Sequence, residues 1–462
     1  MLTYTFDPAG ACLYEQLYDF IRTDILRGSL KSGERLPSKR KLAEHLQVSV
    51  ITVENAYNQL IAEGYIQSQE KRGYFVARMD EALPAPEKRP EVTVPPEKSW
   101  FMDFKTNHIS GEQFPFSVWA KLMRAQLLEQ DKQLLQPQKY NGVPELRGAI
   151  ADYLYHARGM SVHPEQILIG SGTEYLYNLI IQLLGRDKVY AVEDPGYQKI
   201  ASIYRVNDAA YRPIRMDREG LSVRQLRETD VDVVHLSPSH HFPTGLVTPI
   251  TRRQELLKWA NEKPGRYIIE DDYDSEFRFS GRPIPTLFSI DEQEKVLYIN
   301  TFSKTIAPSI RISYLILPPS LLALYREKLG FYACTVPSFE QYTLARFLSR
   351  GYFEKHINRM RKFYKNRRNR LIGLLEGCGF SRRLTILEQD AGLHFLVKVN
   401  TALTDRELTE GLARAGVRVR ALSEYYHDGS PDLHCLVVNY SGLEEPQLEQ
   451  ALNRLEQALR AL

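Results

Sequence analysis

Two segments decide the reading of this chain: RYIIEDDYDSEF (residues 266–277) and VLYINTFSKTIAPSIRISY (residues 296–314). Each starts as a short apolar, β-favouring run and ends abruptly in polar side chains. The first stops at Asp271, Asp272 and Tyr273; the second runs into Thr301, Ser303 and Lys304, with Arg311 seven residues on. In an open α/β sheet, ligands bind just beyond the carboxyl ends of the parallel strands. Two such strands side by side bring an acid, a phenol, a lysine and an arginine to one crevice. That set suits a phosphorylated aldehyde cofactor: a lysine to condense with the aldehyde, an acid for the pyridine nitrogen and a cation for the phosphate.

The surrounding chain supports an α/β frame. From Trp100 onward, helical segments alternate with the apolar runs ILIGSG, KVYAVEDP, VDVVHLSP, RYIIEDD, VLYIN and RISYLILPP. This alternation predicts a mostly parallel sheet covered by helices. The rhythm changes over the last hundred or so residues. A long basic helix (KHINRMRKFYKNRRNRLIGLLEG) leads to GLHFLVKV, a helix at DRELTEGLARAG and DLHCLVVNYS, which reads as a small C-terminal α+β subdomain.

Other residues of the large domain can be placed by the same logic. In ILIGSGTEYLYNLIIQLL, a strand passes through a small-residue turn into a helix, so Gly172 and Thr173 would turn backbone N–H groups towards a phosphate. Tyr197, in EDPGYQKI, follows a strand and can stack on a planar ring or simply fill the core. Asp271 ends a buried strand, where a carboxylate keeps a pyridine nitrogen protonated. Tyr273, two residues on, faces the same way and can hydrogen-bond a ring hydroxyl. Lys304 is the residue on which the reading turns, because condensation with an aldehyde needs a lysine of lowered pKa in a water-poor place. Thr301 and Ser303 offer hydroxyls to a phosphate, and Arg311 offers its fork. The adjacent histidines of SPSHHFPTG and the acids of EDDYDSEF lack the spacing of a metal site, so no metal is expected.

The N-terminal segment is different. LYEQLYDFIRTDILR (13–27) has apolar residues at helical spacing, and Ser38 can cap a short helix through LPSKRKLAEHL. A tight turn at Gln47–Ser49 leads to a helix from about Val50 to Glu63, and YIQSQ with YFVA reads as a β-hairpin. Three helices and a two-stranded wing describe a winged helix-turn-helix, whose second helix of the pair enters the major groove. Basic residues sit at Lys39, Arg40, Lys41, Lys71 and Arg72, although residues 10–78 hold only ten Lys and Arg against eight Asp and Glu. Residues 78–99, with five prolines and no apolar periodicity, read as a semi-extended linker.

At 462 residues the chain is long enough for two to four domains, so the expected division is a DNA-binding head at 1–77, a linker at 78–99 and an effector domain at 100–462. Hydrophobic residues make up 43% and charged residues 25%, and the net charge of +3 specifies no partner. Four scattered cysteines, no signal-peptide pattern and no membrane-length apolar run predict a reduced, cytoplasmic protein not associated with membrane.

SLKSGERLPSKRKLAEHLQVSVITVENAYNQLIAEGYI with RGYFVA resembles the head of the GntR family of transcription regulators. Ser38, Arg40, Ser49, Thr52 and the wing glycine Gly73 match its pattern, and Arg40 is the strongest candidate for DNA contact. Val50 departs from it, standing where that family usually has arginine. GSGT, the Pro-Thr-Gly turn, DDY, SK and an arginine seven residues after the lysine resemble the fold-type I aminotransferases in order, and NGVPELRGAI resembles the segment that precedes them. Head and body together resemble the MocR subfamily. Regulators of pyridoxal phosphate synthesis (the PdxR type) and regulators of amino-compound metabolism are both candidate matches within it.

The resemblance implies that Lys304 binds the cofactor aldehyde, Asp271 its ring nitrogen and Tyr273 its ring hydroxyl. It further implies that Tyr197 stacks on the ring and that Gly172, Thr173, Ser303 and Arg311 hold the phosphate. It implies a homodimer on paired operator DNA, with pyridoxal phosphate or an amino compound as effector. Two further departures weigh against ordinary turnover. Phe242 replaces the asparagine before Pro-Thr-Gly, and no arginine lies between Leu433 and Gln450, where the family grips a substrate carboxylate; Arg414, Arg418 and Arg420 are the nearest substitutes. The expectation is therefore a regulator whose effector domain senses rather than turns over, with at most a half-transamination. The alternative is a working aminotransferase with an accessory head.

Overall fold

The computed structural model describes residues 2–8, 10–78, 99–105, 113–129, 132–281, 284–379, 381–443 and the positions 450, 454 and 456. The chain divides into two compact units, Met1–Glu97 and Lys98–Leu462. Of the proline-rich stretch, residues 79–98 lie outside the described residues.

The N-terminal unit packs α1 (Leu13–Leu26), α2 (Lys39–Leu46) and α3 (Val50–Ala62) beside a small antiparallel sheet of β1 (Arg35–Leu36), β2 (Ile66–Gln69) and β3 (Gly73–Val76), in the order β1-β3-β2. Both helices of the turn begin on serine caps. Ser38 Oγ accepts the Lys41 N–H at 3.4 Å, and Ser49 Oγ accepts the Thr52 N–H at 3.0 Å. These caps satisfy donors that a helix start leaves unpaired. Leu17, Ile21, Leu42, Val53, Ala56, Tyr57 and Leu60, all fully buried, form the core that fixes the helices to one another. Three helices and a hairpin wing are thus present, as the apolar spacing predicts.

The larger unit starts with β4 (Met102–Asp103) and is built on a sheet of β5 (Ile167–Gly170), β6 (Tyr190–Asp194), β7 (Tyr211–Asp217), β8 (Gly220–Leu221), β9 (Val233–Leu236), β10 (Tyr267–Asp271), β11 (Val296–Thr301) and β12 (Ser313–Ile316). Their order is β5-β12-β11-β10-β9-β6-β7-β8. The run β11-β10-β9-β6-β7 is parallel, and β12 is antiparallel to both its neighbours. Strands β5, β6, β9, β10 and β11 are buried throughout, apart from the half-buried Tyr267, which is why they read as apolar runs rather than alternating ones. Their carboxyl ends share one edge.

A second sheet, β13 (Leu384–Leu387), β14 (His394–Val399), β16 (Arg420–Ala421) and β17 (Cys435–Asn439), is antiparallel in the order β13-β14-β17-β16 and follows the 26-residue helix Tyr352–Gly377. Strand β15 (Val417–Arg418) pairs with β4. This is the expected α+β subdomain. Among the described residues, no helix is long and apolar enough to cross a membrane.

Candidate functional site

A cavity of about 230 Å³ opens at the shared carboxyl edge of β5, β6, β9, β10 and β11. Gly172, Thr173, Tyr197, Asp271, Tyr273, Ser303, Lys304 and Arg311, all expected from the sequence, line it together. The strand order explains the convergence, since each strand delivers its terminal residues to the same crevice.

Lys304 follows β11 in a turn. Burial pushes its ammonium down to about 8, against the opposing attraction of Asp274. About a tenth is then the neutral nucleophile at pH 7, far more than for an ordinary lysine. Asp271 ends β10 with both carboxylate oxygens enclosed. Oδ2 accepts the Tyr177 hydroxyl, and His235 Nε2 lies 3.9 Å from it; Oδ1 is buried with no protein partner.

One end of the cavity is formed by the start of the helix Thr173–Leu184. Gly172 is its N-cap, with φ +99°, and no side chain caps the helix start. A Cβ at position 172 would lie 2.8 Å from Arg311 Cζ, so both the backbone conformation and the close approach of the arginine require glycine. Arg311 reaches back to the Ser171 carbonyl at 3.3 Å and to Glu174 at 3.5 Å. Ser303 Oγ is buried without a protein partner. Open helix N–H groups, an orphaned hydroxyl and a guanidinium form an anion cradle.

Several cavity residues escaped the sequence reading. Tyr177 sits one helical turn after Thr173 on the same face, and that i, i+4 spacing was a usable signal. His235, Ser237 and Glu193 depend on strand order instead. Glu193 accepts the Ser237 N–H at 3.0 Å, and its Oε2 lies 3.3 Å from His241 Nε2. Burial raises its carboxyl to about 8, so it is mostly protonated at neutral pH. Burial likewise lowers His241 to about 3, leaving that ring neutral. His240 contacts Asp274 at 2.9 Å and Tyr273 Oη at 3.3 Å. The paired histidines are thus built into the hydrogen bonding around the cavity. The other acids of EDDYDSEF likewise have separate partners: Glu270 takes the Leu287 and Phe288 N–H groups, and Asp272 binds Arg158 and Tyr298.

Phe242 forms an apolar wall. It packs with Leu396, Tyr425, Cys435 and Val437, and its ring meets those of Tyr197, His394 and Tyr425 edge-on at 5.8, 5.1 and 5.2 Å. Among the described lining residues the only cations are Lys304 and Arg311. Arg418 is engaged with Asp103 and Trp100, and Arg420 with Glu424 and the Tyr425 ring, while Arg414 is also absent from the lining.

In the head, Arg40, Lys71 and Arg72 are exposed, and Gly73 (φ +108°) closes the wing turn. Lys39 differs: its Nζ donates to Glu54 at 2.6 Å and lies 5.5 Å over the Tyr74 ring. Ser38 and Ser49 act as helix caps, and the Ser49 and Thr52 hydroxyls are 2.8 Å apart.

Comparison with known proteins agrees with both units. Residues 100–455 match the aminotransferase class I and II family, and residues 13–76 match the bacterial regulatory proteins of the gntR family. The chain is 37% identical to the HTH-type transcriptional regulator YdeL of Bacillus subtilis over 96% of each chain. It is 31% identical to the rhizopine catabolism regulatory protein MocR of Rhizobium meliloti, over 98% of this chain and 95% of that one. Among solved structures, the kynurenine aminotransferase of Pyrococcus horikoshii, crystallised with PMP, superposes with a TM-score of 0.68 at 25% identity, covering 78% of this chain and 91% of its own. The chain belongs to the MocR subfamily of transcription regulators, in which a GntR winged helix-turn-helix is joined to a domain of the class I and II aminotransferase family.

Proposed function

We propose that this regulator holds pyridoxal 5'-phosphate in the 230 Å³ cavity and uses it to sense a ligand rather than to run a transamination cycle. The observation that carries the reading is the matched pair of unpartnered buried atoms, Asp271 Oδ1 and Ser303 Oγ, in a cavity that also contains a lysine lowered to about 8. Isolated buried polar atoms are costly, and a ligand with a ring N–H and a phosphate satisfies both. When bound, the cofactor supplies an electrophilic aldehyde on an electron-withdrawing ring.

The protein side follows from the residues. Lys304 presents an amine that loses its proton far more readily than an ordinary lysine. Asp271 offers its unpartnered Oδ1 to the ring nitrogen while Tyr177 fixes Oδ2. The N-terminus of the helix Thr173–Leu184, Ser303 and Arg311 hold the phosphate. Tyr197 covers the ring and Tyr273 faces its hydroxyl. The apolar wall around Phe242 argues against a substrate carboxylate, because no described lining cation other than Lys304 and Arg311 is available to pair with it. The effector is pyridoxal phosphate itself or an amino compound that condenses with it. The active species is a homodimer on a paired operator in double-stranded DNA, and regulation changes the affinity or spacing of the two heads.

A visible spectrum of wild type and Lys304→Ala after loading with pyridoxal phosphate tests the cofactor assignment. An absorbance band present in the wild type and missing in the variant supports it; identical spectra refute it. Operator titrations with the cofactor-free chain then separate the effectors. Affinity that responds to pyridoxal phosphate alone identifies a cofactor sensor, and affinity that responds only when an amine is added identifies an amine sensor. Sustained multiple turnover with an amino acid and a keto acid would instead establish a working aminotransferase.

A further inference from the structure

The recognition helix α3 reads VITVENAYNQLIA, with neither lysine nor arginine. Its inner face, Val53, Ala56, Tyr57 and Leu60, is fully buried. The outer face starts with two apolar side chains open to solvent, Val50 at 43% and Ile51 at 67% relative exposure, and continues with exposed Asn55 and Asn58 at helical spacing from Ile51. Two neighbouring apolar side chains open to solvent gain free energy when an apolar group covers them. The helix start itself is rigid, because Ser49 caps it and also bonds the Thr52 hydroxyl.

Major-groove chemistry limits what this face can recognise. Arginine and lysine read guanine, Asp and Glu accept from cytosine, Asn and Gln pair with adenine, and apolar side chains meet the thymine methyl. Guanine readers are missing from α3. Its only carboxylate, Glu54, is held by Lys39. What remains is the A·T half of the code. We propose that α3 recognises A·T base pairs, with Ile51 and Val50 seated against thymine 5-methyl groups and Asn55 paired to an adenine edge. The exposed basic residues outside α3, Arg40, Lys41, Lys71 and Arg72, supply phosphate contacts and set the register without specifying these pairs. Val50, the departure from the GntR pattern, thereby becomes a determinant of specificity rather than a lost contact.

The test uses the full-length chain and double-stranded oligonucleotides selected by it from a random pool. In the selected site, each thymine is replaced in turn by deoxyuridine, which removes only the 5-methyl group and keeps the base pair. At one or two positions the wild type should lose about fourfold in affinity, the ratio expected for burying one methyl group. Ile51→Ala should bind the thymine and uracil versions of one such position equally, and Asn55→Ala should lose about tenfold discrimination at a neighbouring A·T pair. Both side chains are exposed, so unfolding is not expected, and circular dichroism checks this. The proposal fails if uracil changes nothing, or if Ile51→Ala keeps the full uracil sensitivity. It also fails if the substitution alters the oligomeric mass while leaving base discrimination intact, which would make Ile51 a protein contact.

Discussion

The lowered pKa of Lys304 gives the sharpest prediction. An ordinary lysine titrates near 10.5, whereas burial brings this one to about 8. At pH 7.5 about a quarter of Lys304 is then neutral, against about one part in a thousand for an unperturbed amine, a ratio on the order of 200. The cofactor-free chain mixed with pyridoxal phosphate in a stopped-flow spectrometer should therefore show a capture rate that rises with pH and levels off just above 8. The same titration with N-acetyl-lysine methyl amide in place of protein removes the contribution of the cofactor's own ionisations. Asp274 is the one charge that raises the Lys304 pKa, so Asp274→Asn should move the midpoint down. Stability gives an independent check. A base whose folded pKa is lowered destabilises the fold fully below about 8, and that cost disappears as pH rises towards 10.5. Lys304→Met should thus be more stable than wild type at pH 7, by up to about 3 kcal/mol, with the gap closing above pH 10. A capture midpoint near 10.5, or a Met variant with no stability advantage at pH 7, would refute the argument.

Other perturbations follow from the same cavity. Asp271→Asn removes a charged acceptor and should weaken pyridoxal phosphate binding about 10- to 100-fold in equilibrium dialysis, while Tyr177→Phe, which removes one neutral donor, should cost about fivefold. Gly172→Ala forces a Cβ onto Arg311 at φ +99° and should lower cofactor affinity and destabilise by about 1–2 kcal/mol, read by thermal melting and dialysis. Glu193, with its carboxyl raised to about 8, contributes stability that is complete below its ordinary 4.5 and is lost as pH rises through 8. Glu193→Gln should therefore match the wild type in acid and exceed it by a few kcal/mol at pH 9 in urea unfolding, since the amide oxygen can still accept the Ser237 N–H.

Much of this protein is written locally in its sequence. Buried strands appear as continuous apolar runs and end where polar residues begin, so Asp271, Lys304 and Thr173 could be placed at strand ends or on a helix start without coordinates. The serine caps Ser38 and Ser49, and the wing turn at Gly73, are likewise short-range choices of backbone conformation. Which strands lie side by side is a different kind of information. Glu193, His235 and Asp271 come from β6, β9 and β10, separated in sequence by tens of residues, and meet because the sheet order is β10-β9-β6. Tertiary packing also decided that Phe242 joins Leu396, Tyr425 and Val437 as an apolar wall, and that Lys39 is engaged by Glu54 while Arg40 faces solvent. The sequence by itself determined the two domain types and the strand-end residues on which the proposed cofactor site rests, because periodicity, capping and strand termination depend on neighbouring residues. Only the tertiary structure decided how the cavity is charged and walled, because burial and electrostatic partners depend on residues that the folded chain brings together from far apart.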